Sequence, residues 1–159
     1  MKLAIRIGVV GFALVAFTLV GTAQAPQSTI GTWKLNVAKS TYSPGPAPKT
    51  QTTRIETVPG NGAKFTVDAV DAAGASTHQE YVTMFDGKDA DVKGAVAPTM
   101  RAYSRIDDRG YQYVEHVSGK VTTTTRSTIS ADGKTRTNVA TGTGADGKPV
   151  NNTTVYDRQ

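Results

Sequence analysis

The chain is predicted to form an all-β domain, an antiparallel up-and-down meander of about eight to ten strands closed as a barrel, and three observations carry that expectation. From Thr29 onward, short β-prone runs rich in Thr and Val alternate with clusters of Gly, Pro, Asn and Asp, and no stretch sustains the periodicity of an amphipathic helix. One turn signal recurs as Asp86-Gly87-Lys88, Asp132-Gly133-Lys134 and Asp146-Gly147-Lys148, with Asn61-Gly62 and Ser118-Gly119-Lys120 close to it. Every connection after Thr50 is shorter than the dozen or so residues of a parallel crossover, so consecutive strands should be antiparallel neighbours. An open sheet of that size would expose two edges and an apolar face. Closure removes both.

Residues 1–25 read as a secretory signal peptide. Lys2 and Arg6 give a positive start, Ile7 to Gly21 an apolar run, and Ala23-Gln24-Ala25 the small residues of a cleavage site. Cleavage is expected before Pro26, leaving residues 26–159 as one periplasmic or secreted domain. As a helix the apolar run would span only ~22 Å of a ~30 Å hydrocarbon core, so no stable membrane insertion is expected after cleavage. The chain has no cysteine, which excludes a lipid-bearing cysteine and a disulfide framework.

Strands are expected near 31–37, 50–58, 63–70, 76–85, 89–93, 99–107, 111–117, 120–130, 135–143 and 150–157. Alternation puts Trp33, Leu35 and Val37 on one face, as it does Phe65, Val67 and Ala69, and Tyr111, Tyr113 and Val117. Val121 to Thr125 carries no such contrast, and so much Thr on inner faces suggests a partly polar interior. The segment Ala38–Lys49 holds Pro44, Pro46 and Pro48, cannot be helical, and must cross an end of the barrel or run along its side.

The residues exclude most chemistry. A net charge of +5, two units of it from Lys2 and Arg6, is scattered rather than gathered into a nucleic-acid-binding patch. There is no thiol nucleophile, no Gly-x-Ser-x-Gly elbow and no phosphate loop. His78 and Glu80 share a strand face but read as a solvated pair, while Glu115 and His116 point to opposite faces. Zinc would need His78 and His116 to converge with carboxylates, and the acidic run Asp86, Asp89, Asp91 lacks calcium-loop spacing. No catalytic residue, metal or cofactor is expected, so the chain does not read as an enzyme. What remains is aromatic. Tyr81, Tyr103, Tyr111, Tyr113 and Tyr156, with Phe85, could line a cavity, and Arg101, Arg105 or Arg126 could clamp a carboxylate if one points inward; Arg126 is taken as the candidate.

Gly31-Thr32-Trp33 at the first strand resembles the Gly-x-Trp signature of lipocalins and related calycin barrels. The resemblance implies that Trp33 closes one end of the barrel and that an arginine near the chain's end, Arg158 or in reserve Arg126, packs across its ring. The meander is also similar to fatty-acid-binding proteins, and the pattern as a whole to small secreted bacterial proteins of no assigned activity. The chain departs from lipocalins in lacking a helix after the last strand and a Thr-Asp-Tyr-like motif, and from fatty-acid-binding proteins in lacking a helix pair after the first. The implied function is binding of a small apolar or amphipathic ligand. The alternative is a non-catalytic envelope structural or interaction module with a filled core, and the state of the interior separates the two.

Overall fold

A computed structural model describes residues 24–159; most of the expected signal peptide, residues 1–23, lies outside the described residues. Ten antiparallel strands follow one another: β1 Gly31–Leu35, β2 Thr50–Val58, β3 Gly62–Val70, β4 Ser76–Thr83, β5 Asp86–Asp91, β6 Thr99–Asp107, β7 Gly110–Val117, β8 Lys120–Ile129, β9 Thr135–Thr143 and β10 Pro149–Arg158. They form one up-and-down sheet in the order β4-β3-β2-β1-β10-β9-β8-β7-β6-β5, so the first strand pairs the last and the barrel is nearly closed. The seam lies between β4 and β5. There Glu80 and Lys93 exchange backbone hydrogen bonds of 3.1 and 2.9 Å, and Gly94 crosses so close to β4 that a Cβ would sit 2.0 Å from the His78 carbonyl oxygen.

The turns explain the register. In Asp132-Gly133-Lys134 and Asp146-Gly147-Lys148 the aspartate Oδ1 accepts the lysine N–H at 3.1 Å while the glycine holds positive φ, which reverses the chain without strain. The Asp86 copy makes the same local bond at 3.2 Å but is not the hairpin turn that its sequence suggests. It lies inside β5 as a bulge, with a register shift between Asp86 and Asp89. The reversal comes earlier, at Phe85, whose φ of 56° accompanies burial of its ring against Phe65, Tyr103 and Tyr111.

β1 also ends before its expected limit. The Asn36 side chain accepts the Lys39 N–H at 3.1 Å and its carbonyl accepts the Ser40 hydroxyl at 2.7 Å, which winds Val37–Lys39 into a 3₁₀ turn and takes Val37 off the inner face. The proline segment then runs along the barrel side. Thr41 and Ser43 bond to Thr153 and Asn151, occupying the notch that a five-residue β1 leaves beside a ten-residue β10.

Turns 59–61, 84–85, 108–109 and 131–134 gather at one end, and this end is filled. Trp33, Ile55, Phe65, Phe85, Tyr103, Tyr111 and Ile129 are all buried there. The segment Ala25–Ile30 folds across the end as a plug. Ala25 N–H donates to Asn61 O at 2.8 Å, Ser28 Oγ to Asp108 O at 2.7 Å, and Trp33 Nε1 to Thr29 O at 2.8 Å. Arg158 lays its guanidinium 4.4 Å from the Trp33 ring and donates to the carbonyls of Gly133, Ile30 and Ser28.

Trp33→Ala should therefore cost about 3–5 kcal/mol in denaturant unfolding, through loss of a fully buried indole. Arg158→Ala should cost less, about 1–3 kcal/mol, for one cation–π contact and its carbonyl bonds. An Arg158 variant less stable than the Trp33 variant would show that the hydrogen bonds, and not the indole, hold this end.

Candidate functional site

Above the filled end the barrel is hollow. The inward positions of β2, β3, β4, β6, β7, β9 and β10 enclose a cavity of about 260 Å³. Its floor is aromatic: Phe65 stacks on Tyr81 at 4.9 Å and Tyr103 on Tyr113 at 4.7 Å, while the Tyr81 and Tyr103 hydroxyls share a hydrogen bond of 2.8 Å. Burial pushes the pKa values of Tyr81, Tyr103 and Tyr113 up, so these phenols stay neutral and serve as hydrogen-bonding groups rather than anions. The walls are polar, with Gln51, Thr53, Gln79, Arg101, Arg136 and Asn138 projecting from them.

The two arginines are in different states. Arg101 Nε donates to Glu115 Oε2 at 2.8 Å, and its guanidinium lies 5.1 Å from the Tyr81 ring and 5.6 Å from that of Tyr113. Burial opposes its charge, but the tyrosine ring faces and the Glu115 carboxylate offset burial, and its pKa stands well above the ordinary value. Arg136 is 2% exposed, and its guanidinium lies 4.2 Å from the Tyr156 ring and 5.5 Å from Trp33. Its Nε has no hydrogen-bond partner, and none of the ion pairs among the described residues includes it. Asn138, two positions along the same inner face, has its Oδ1 buried and unsatisfied. A cavity holding two guanidinium groups and one carboxylate has one positive charge in excess.

Of the residues singled out in the sequence, Tyr81, Tyr103, Tyr111, Tyr113 and Tyr156 all line this cavity. Arg126 does not: Thr125, Ser127 and Ile129 take the inward positions of β8, and alternation turns Arg126 to solvent. Arg105 is likewise outside, paired with Asp108. Trp33 and Arg158 meet at the filled end. His78, Asp68, Glu80 and Lys64 form a charged cluster on the outer face of β3 and β4. Glu115 and His116 do face opposite ways, one to Arg101 and the other to Asp89. Among the described residues no cluster of His, Cys, Asp and Glu could hold a metal.

Arg136, Asn138 and Gln51 are absent from the sequence-based candidates. A signal for Arg136 exists: the Asp132-Gly133-Lys134 turn sets Ile129 opposite Arg136, and an isolated isoleucine at the end of a threonine-rich strand faces the core. Tyr42, from the proline segment, is not part of the cavity lining but lies near Tyr156.

Burial, with the neighbouring Tyr156 second, pushes the Tyr42 phenol from its ordinary 10.0 up to about 12. The folded chain then keeps a proton that the unfolded chain releases, so stability should be level below pH 10 and fall as pH rises from 10 toward about 12. Melting temperature and phenolate absorbance followed together will check this, and Tyr42→Phe should make the fall shallower. Comparison with family models, with curated proteins and with solved structures finds no match to this chain, so the site is read from its geometry alone.

Proposed function

We propose that the protein is a non-catalytic binding barrel, of lipocalin-like design, for a small amphipathic anion, exported to the periplasm or beyond. One observation carries the reading: Arg136 is buried beside a cavity with no carboxylate partner. An unpaired buried guanidinium is costly, whereas a carboxylate entering the cavity would turn that cost into charge-assisted hydrogen bonds. Asn138 Oδ1 offers an acceptor for a hydroxyl or amine on the same ligand, and the stacked rings offer an apolar bed.

The volume limits the ligand. At about 260 Å³ the cavity falls just below the ~300–1,000 Å³ usual for small-molecule sites. That favours a compact aromatic or short-chain acid over a long fatty acid. Supporting a non-catalytic role, Glu115 is occupied by Arg101, and both histidines face outward from the cavity.

Calorimetric titration of the protein with benzoate, 4-hydroxybenzoate, short hydroxy acids, their neutral amides and palmitate provides the test. Saturable one-to-one binding of at least one small acid is expected, with its amide and palmitate far weaker. Arg136→Met should weaken binding by ~10–100-fold, the equivalent of ~1.5–3 kcal/mol for lost charged hydrogen bonds. The same substitution should leave the unliganded protein as stable as the parent or more so, because it removes a buried charge lacking an ion-pair partner. Equal binding by acid and amide, or none by any compound, would reject the anion site and favour an envelope interaction module.

A further inference from the structure

The buried position of Ala25 bears on where the exported chain begins. The leader offers two adjacent processing points with small residues one and three positions before the cut: Ala23 and Ala25 ahead of Pro26, or Gly21 and Ala23 ahead of Gln24. The Ala-Gln-Ala pattern by itself points to the first. The fold distinguishes them, because Ala25 is 1% exposed within the core and Pro26 is among its fully buried side chains.

We infer that the leader is removed between Ala23 and Gln24, so that the mature chain keeps Ala25 as part of the barrel plug. This rests on the export reading of residues 1–25 and is independent of the ligand. Hydrolysis of the Ala25–Pro26 bond would take away the Ala25 methyl group and the N–H that donates to Asn61 O at 2.8 Å. It would also turn the Pro26 nitrogen from a neutral amide into a charged secondary ammonium at a buried position. Pro26 matters beyond itself: its carbonyl accepts both the backbone N–H and the hydroxyl of Thr29, at 2.9 and 2.7 Å, and Thr29 O holds the Trp33 indole. A charge there disturbs the residues that position Trp33. Hydrolysis of Ala23–Gln24 instead leaves the new ammonium on Gln24, which is only partly buried and two residues away from Pro26.

The test is the N-terminus of the protein recovered from the extracytoplasmic fraction of a bacterium expressing the full chain, read by intact mass and terminal peptide sequencing. A start at Gln24 is expected, with or without the loss of ammonia by which N-terminal glutamine cyclises. A start at Pro26 would overturn the inference while leaving export intact, and a full-length chain found only in the cytoplasm or firmly embedded in membrane would overturn the export reading beneath it. A second measurement addresses the physical reason. Purified chains beginning at Gln24 and at Pro26 are melted across pH: the Pro26 chain should have the lower melting temperature, with the gap widening as pH falls and its terminal amine gains a proton. Equal melting at every pH would refute the role given to Ala25 and Pro26.

Discussion

The contact on which the rest of the barrel depends is the one between Trp33 and Arg158. A meander has two chemically distinct ends, and closing it requires its first and last strands to pair although more than a hundred residues separate them. The ladder between β1 and β10 is short, running only from Trp33↔Arg158 to Leu35↔Tyr156. Three register pairs form a weak join between strands that far apart. Arg158 compensates by covering the indole and reaching the carbonyls of Ser28, Ile30 and Gly133, which ties plug, first strand and β8–β9 turn into one unit. Because guanidinium donors are directional and the indole face is broad, the contact sets register as well as adding attraction.

With that end held, the inner faces divide by residue type. Near the plug, large rings and branched aliphatics fill the space, and burial is nearly complete. Further along, the same strands present Gln51, Thr53, Gln79 and Asn138, which are too small or too polar to fill the barrel. The hollow follows directly from that change along β2, β4 and β9. It does not arise from a missing element. Within the hollow Arg101 is satisfied by Glu115 and two rings, whereas Arg136 has rings but no carboxylate. Cation–π attraction offsets part of the desolvation of a guanidinium and leaves its N–H donors unused.

The strand plan was legible because turn residues are legible. Gly with Asp or Asn marks positive φ wherever it falls, and strand ends follow from it within a residue or two for most of the meander. The errors arose where tertiary burial outranked local chemistry. Asp86-Gly87-Lys88 makes the same Asx bond as its two counterparts, yet the Phe85 ring seeks the core and moves the reversal upstream. The site was half legible. Tyrosines announce themselves by size, and the five candidates share one cavity. The arginines required a register, and without one a threonine-rich strand gives no sign of its inner face. Arg126 and Arg136 lie on neighbouring strands with similar surroundings in sequence, but parity turns one to water and the other to the cavity.

Trp33 belongs to both halves. Its ring receives Arg158 at the plug and stands within cation–π range of Arg136 at the cavity. A change at Trp33 therefore disturbs closure and site together, and loss of binding in such a variant would not identify a ligand contact. Arg136 offers the cleaner separation, since its substitution leaves the β1–β10 ladder and the Arg158 bonds in place. An arginine required for packing should destabilise the empty barrel when removed, whereas one retained for an anion should not, because its N–H donors find their partners only in the complex.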